Sequence, residues 1–416
     1  MDRETFVYVS LGDDDRLVGR LWTRVRRGRE SATFQYDDGW LEDPERFALE
    51  PALTLGTGAH HTGAGRAIFG ALGDSAPDRW GRALMGRAER RAAREEEREP
   101  RALTELDYLL RVSDRSRQGA LRFKSETDGE FLGDADRDPV PPLIELPRLL
   151  AASDRVLDED DDALLALLLA PGSSLGGARP KASVVDMDGQ LAIAKFPKRD
   201  DDVDIVRWEA VALSLAAHSG IETPTWRLER LDDRSVLVLR RFDRHDQHRV
   251  PYLSAMSMLG ANDGDQRSYL EIADALRQHG SSSEADRQAL WRRIVFSILI
   301  SNTDDHLRNH GFLYDGNTGW RLCPAFDLNP VPADLKPRFL STAIDLEDNE
   351  ASIDLALSVA VHFALDDDDA RAMAKDVARS VAEWRRVASD IGLGRGAIER
   401  MASAFEHEDQ RMALDF

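Results

Sequence analysis

The segment Ser301–Phe312 reads SNTDDHLRNHGF and follows directly on the apolar run WRRIVFSILI. Asn302, Asp304, Asp305, His306, Asn309 and His310 fall within nine residues. So many polar side chains next to an apolar helix are costly unless they meet a metal, a phosphate or one another. Asp304 and Asn309 stand five apart, and Asp327 follows in CPAFDLNP beyond a hairpin pattern, GFLYDGNTGWRL. Oxygen ligands in this order suit phosphoryl transfer: Asp304 accepts a hydroxyl proton while Asn309 and Asp327 hold Mg2+ against the phosphates of ATP. Such a reaction asks for positioning and charge neutralisation more than for a covalent nucleophile. His306 and His310, at i and i+4, could share a metal on a helix. The intervening LRN lacks the glutamate of a zinc protease, so His306 reads instead as a structural or phosphate-adjacent residue.

Two further stretches fit the same chemistry. PGSSLGGARPKASVV carries Gly172, Gly176 and Gly177, which permit close backbone approach to an anion, with Arg179 and Lys181 beside them. A Walker pattern fails here, because Ala178 and Arg179 stand where Lys and Ser/Thr belong. Next, GQLAIAKFP places Lys195 among apolar neighbours after a DMDG turn. Glycine loop, strand, turn and strand with lysine is the order in which a protein-kinase small lobe presents its phosphate-binding lysine, and Asp-x4-Asn is the spacing of its catalytic loop. Glu209, in a helical stretch, could pair with Lys195. Ser173 and Ser174 lack a nucleophile-elbow context and are not read as nucleophiles.

The elements that must position these residues are legible in outline. FVYVSLG, RLVGRLWTRV and SATFQYD alternate in the strand manner and predict a small antiparallel sheet. DRWGRALMGRAERRAAREEERE is helical in period and GALRF strand-like, and ETDGEFLGDADRDPVPP has linker composition. A short helix around Leu143–Ser153, an acidic helix DEDDDALLALLLA and strands between Ala182 and Phe242 are expected next. From Ser254 onward the pattern is almost entirely helical. The expected fold class is α/β (α+β), two-lobed and protein-kinase-like, with an N-terminal β-rich subdomain over 1–130, a small lobe over 131–244 and a helical large lobe over 245–416.

The 416 residues are 42% hydrophobic, enough for a sizeable core in each part. A net charge of -21 and a pI near 5.0 argue against broad nucleic-acid binding, leaving a local patch such as Arg24–Arg29 (RVRRGR) or a partner to supply any DNA contact. The single cysteine, Cys323, excludes an internal disulfide. The first residues lack the basic end and unbroken apolar run of a signal peptide, and the longest purely apolar run, Ala163–Ala170, is far short of the roughly 20 residues that span a bilayer. A cytoplasmic location with no membrane partner is expected.

The chain resembles the HipA family of serine/threonine kinases, the toxin halves of bacterial toxin–antitoxin pairs. VYVSLGDDDRLVGRLW, FQYDDGWL, GALGDSAPDRWGRALMGR and SRQGALRF look like the family's amino-terminal region. SSLGGARPKA, AKFP, LRRFDR, NTDDHLRNHGFL and AFDLNP look like its kinase region. The resemblance implies that Asp304 is the catalytic base and that Asn309 and Asp327 are magnesium ligands. It implies that Gly176, Gly177, Ala178, Arg179, Pro180 and Lys181 line the ATP phosphates with Lys195, and that Arg240, Arg241 and Phe242 form the hinge meeting adenine. It further implies autophosphorylation at Ser174, with Ser173 the alternative, which expels the loop and silences the kinase. The implied partners are a helix-turn-helix antitoxin (HipB-like) bound to operator DNA, with this chain as corepressor, and a host protein substrate, in particular an aminoacyl-tRNA synthetase. A catalytically silent regulator and a small-molecule phosphotransferase are the competing readings.

Overall fold

The computed structural model describes residues 2–133, 140–157, 168, 179–246, 248–316 and 319–416. The chain packs as two compact units, Met1–Arg199 with Val238–Leu253, and Asp200–Leu237 with Ser254–Phe416. Antiparallel sheets and helices occur together, as the mixed α/β expectation requires. The expected acidic helix DEDDDALLALLLA lies outside the described residues apart from Leu168.

The first unit opens with β1 (Asp2–Leu11), β2 (Asp14–Arg26), β3 (Arg29–Tyr36), β4 (Ala59–His61) and β5 (Leu121–Lys124), in the order β4-β3-β2-β1-β5. These are the strands that alternation predicts, and period two buries one face: Val7, Val9, Leu21, Phe34 and Phe123 are fully enclosed. Each such side chain contributes roughly 1.5–3 kcal/mol relative to exposure. Gly19 lies beside the register shift at Val7/Tyr8, where a Cβ would stand 2.2 Å from the Gln35 carbonyl oxygen. No other residue fits there without moving the strand.

Beyond a helix Arg79–Glu95, capped by the Asp78 carboxylate on the Gly81 amide, come β6 (Lys181–Val185) and β7 (Leu191–Lys195). They pair antiparallel, with Lys181 opposite Lys195. The Arg241 amide donates to the Leu191 carbonyl at 3.1 Å, continuing the ladder from β7 onto the end of β9 (Arg234–Arg240).

The second unit contains β8 (Trp226–Leu231), the start of β9 and a set of helices around one apolar rod, Ser283–Leu299. Leu290, Trp291, Ile294, Val295, Phe296, Ile298 and Leu299 have no exposed surface, and every residue from Arg293 to Leu299 is buried, as in a central helix. Trp384 stacks on Phe405 with ring centroids 4.6 Å apart, and Trp208 packs against both, closing the far side of the core.

Candidate active site

The central helix ends in a Schellman motif. Asn302 N–H bonds the Ser297 carbonyl at 2.8 Å and Ser301 N–H bonds the Ile298 carbonyl at 3.2 Å. Glycine normally fills the left-handed position of such a cap, but here Ser301 holds it at φ +52. A β-carbon there costs roughly 1–2 kcal/mol. The Ser301 hydroxyl offsets part of that cost, since it donates to the Ala404 carbonyl at 2.9 Å and accepts from Arg338 Nε at 3.1 Å. The reversal turns the chain sharply and launches the polar loop.

Within that loop the tandem acids separate completely. Asp304 is exposed, and among the described residues its carboxylate has no partner. Asp305 is buried, accepting from Tyr269 Oη and from Ser297 Oγ at 3.1 Å, with His310 Nε2 at 3.0 Å. Burial alone would push the Asp305 carboxyl up; the His310 imidazole and the two hydroxyl donors outweigh it and hold the group below its ordinary range. Burial, reinforced by the same carboxylate, drives the Tyr269 phenol well above its ordinary value. Asp305 therefore fastens the loop while Asp304 faces solvent.

Asn309 is buried, and its Nδ2 donates to the Asp304 carbonyl at 3.1 Å. That bond fixes the amide so that its carbonyl oxygen remains as a hard acceptor. His306 accepts the Asn309 amide proton on its own carbonyl at 2.8 Å, and its ring Nδ1 is buried without a partner among the described residues.

Asp327 is brought in by asparagines that sequence reasoning leaves unassigned. Asn302 Oδ1 accepts from the Asn329 amide at 3.3 Å, Asn329 Nδ2 donates to the Asp327 carbonyl at 3.1 Å, and Val331 N–H bonds the Ser301 carbonyl at 3.2 Å. Asp327 sits at φ +60, a second non-glycine residue in the left-handed region. Such conformations persist where surrounding bonds over-determine them. The two loops that carry Asp304, Asn309 and Asp327 are thereby laced together.

Among the described residues no group of three or more His, Cys, Asp or Glu side chains could hold a metal ion. A magnesium ion asks for less: one or two protein oxygens, with phosphates and water completing its shell. The donor set of Asn309 and Asp327 fits that demand. Thr303 Oγ1, His306 Nδ1 and Asn329 Oδ1 are buried and orphaned among the described residues, a concentration of unmet polar atoms consistent with a polar ligand.

The first unit carries the remaining sequence-derived residues. The Pro180 carbonyl accepts from the Phe196 amide at 3.0 Å, and Arg179 is half-buried. Lys181 is 4% exposed and its ammonium lies 2.8 Å from the Asp78 carboxylate, while Trp80 Nε1 donates to the Lys181 carbonyl. Lys195, its cross-strand neighbour, is only half-buried. Arg240 is exposed, 3.3 Å from Asp188. Arg241 is buried, bonded to Asp243 and to the Ser116 carbonyl, and Phe242 packs against Tyr252. Gly176, Gly177, Ala178, Ser173 and Ser174 lie outside the described residues.

Comparison with known proteins places the family and the fold. Residues 173–385, just over half of the chain, match the HipA-like C-terminal domain, and the chain belongs to that family. Its fold is that of the HipA toxin in a Shewanella oneidensis complex of HipA, HipB and operator DNA: the match covers 98% of this chain and 96% of that one at 17% identity, with a TM-score of 0.67. A Sinorhizobium fredii protein named "Putative kinase Y4mE" is 26% identical over 78% of each chain. A Haemophilus influenzae protein named "Putative kinase" is 27% identical over 39% of this chain, which spans 54% of that relative's length.

Proposed function

We propose that this protein is an ATP- and magnesium-dependent serine/threonine protein kinase of toxin type. The observation that carries the reading is the laced pair of loops: an exposed Asp304 whose carbonyl orients Asn309, tied through Asn302 and Asn329 to the loop of Asp327. On this reading Asp304 takes the proton of the acceptor hydroxyl as its oxygen bonds to the γ-phosphorus, the bond to the β-phosphate oxygen breaks, and ADP leaves. Asn309 and Asp327 would hold magnesium, which neutralises phosphate charge when bound. His306 serves as a structural or phosphate-adjacent residue.

Residues 1–130, 131–244 and 245–416 serve as N-terminal subdomain, small lobe and large lobe. Gly176, Gly177, Ala178, Arg179 and Pro180 cradle phosphates, and Lys195 reaches them. Lys181 lines the phosphates with them, its ammonium also 2.8 Å from the Asp78 carboxylate. Arg240, Arg241 and Phe242 present backbone to adenine. Phosphate on Ser174, or on Ser173, adds close to two negative charges beside the cradle and silences the enzyme by competing with ATP. The partners are a helix-turn-helix antitoxin on operator DNA and a host protein substrate, an aminoacyl-tRNA synthetase by family resemblance, met in the cytoplasm. Family membership and the fold shared with the HipA of the Shewanella complex support this assignment.

The test is phosphosite mapping after incubating the chain with ATP, magnesium and a cell lysate. Phosphate on Ser174 or Ser173 and on one lysate protein is expected. Phosphate on small molecules alone, or on nothing, would replace this reading with a phosphotransferase or a silent regulator.

A further inference from the structure

The hairpin joining β2 to β3 breaks three local rules at once. Arg27 and Gly28 occupy its two-residue turn with φ +51 and +74, the geometry of a type I′ turn. Asn or Asp is the favoured residue at the first of these positions, because a β-carbon at positive φ is strained, yet the chain places arginine there. Arg26 and Arg29 then face each other directly across the ladder. Like charges at such a pair are destabilising. Thirdly, Arg26, Arg27 and Arg29 are all exposed, and none has an ion-pair partner among the described residues, in a chain whose net charge is -21. The nearby acids are spent elsewhere. Glu30 accepts from the Glu105 and Leu106 amides, Glu105 pairs with Arg82, and Asp107 pairs with Arg3.

The tip also projects. The ladder of β1 with β2 ends at Asp2 opposite Arg24, and the ladder of β3 with β4 reaches only Thr33, so Val25–Glu30 extends past the sheet on both sides. Local conflicts without structural gain are expected at functional sites. We infer that this tip is a binding element for the phosphate backbone of duplex DNA. Arginine forks match phosphate oxygens bidentately. No aromatic side chain lies between Arg24 and Ser31 to stack an unpaired base, which favours duplex over single strand. The acidity of the remaining chain limits the contact to short range, within a Debye length of about 10 Å at 0.1 M salt. The expected affinity is therefore at the weak end of non-specific binding, a dissociation constant on the order of 10⁻⁴ M. This site goes beyond the phosphotransfer reading and shares no residue with it, so each can fail alone.

The experiment is fluorescence anisotropy of a labelled 30-base-pair duplex, of about that length so as to exceed the non-specific footprint of one hairpin, titrated with the full chain across a salt series. Saturable binding is expected. Arg26→Ala/Arg27→Ala/Arg29→Ala should weaken it at least tenfold and lower the log–log salt slope by about 2.7, three phosphates' worth. The triple lysine variant should retain part of the affinity. Arg27→Asn alone should raise the melting temperature while weakening binding, an outcome no purely structural role for the arginine produces. No wild-type binding, or a triple alanine variant that binds as wild type does, overturns the inference. So does wild-type binding to phosphatidylserine vesicles or polyglutamate that exceeds binding to the duplex.

Discussion

Replacing Asp305 by Asn separates its role from that of its neighbour. The Asp305 carboxylate receives Tyr269 Oη and Ser297 Oγ and lies 3.0 Å from His310 Nε2, all buried. Bonds to a charged group contribute about 1.5–3 kcal/mol each, and the amide keeps one acceptor of the same shape while turning a donor toward the others. The net loss works out at about 3 kcal/mol, the lower end of what breaking a buried charged pair costs. For a cooperative unit of some two hundred residues that lowers the melting temperature by roughly 6–12 °C. Because the folded-state pKa of Asp305 lies below its ordinary value, its contribution is complete above the unfolded pKa. It is lost as pH falls through the folded value. Thermal melts of wild type and Asp305→Asn should therefore differ by a constant gap near neutrality and converge in strong acid. Asp304→Asn, at an exposed carboxylate without a partner among the described residues, should cost under 0.5 kcal/mol. A gap below about 1 kcal/mol for Asp305→Asn, or an equal loss at Asp304, would refute the division of labour between the two acids.

Glu50 should behave with the opposite sign. Burial pushes its carboxyl up to about 7 against the pull of the Ala71 amide, with the Asp74 charge adding to the rise. Stability linked to it is full below about 4.5 and falls as pH rises through 7, by about 3 kcal/mol. Melts of Glu50→Gln should gain over wild type at pH 8 and not at pH 4. Lys181→Met should cost roughly 3–5 kcal/mol by stranding the Asp78 carboxylate, and adding Asp78→Asn, which can still cap the Gly81 amide, should recover at least half in denaturant titrations.

Much of this arrangement was legible in the sequence, for identifiable reasons. The period-two alternation of β1 to β3 and the apolar rod ahead of Ser301 are local signals, and both form as read. The polar loop announced itself by composition. What spacing could not supply was the partner of each polar group. Spacing to Asn309 selects Asp304 over its neighbour, but the role of Asp305 as a buried anchor against Tyr269 and Ser297 comes only from tertiary packing. Asn302 and Asn329 read as loop residues, because a bond between asparagines 27 positions apart leaves no trace in local pattern. The buried pairing of Lys181 with Asp78 depends on a helix cap about a hundred residues earlier, which no local pattern shows. A serine in the αL cap of the central helix was equally invisible, since glycine is what the motif advertises.

The central claim is that Asp304 performs chemistry that nothing else in the loop can supply. Its most direct test is transfer of γ-labelled phosphate by purified wild type and Asp304→Asn, with ATP binding and melting temperature measured on the same samples. The account predicts unchanged melting, retained ATP binding and a loss of transfer of roughly 10²–10⁴-fold, the range for removing a general base. Undiminished transfer by the stable variant would contradict it.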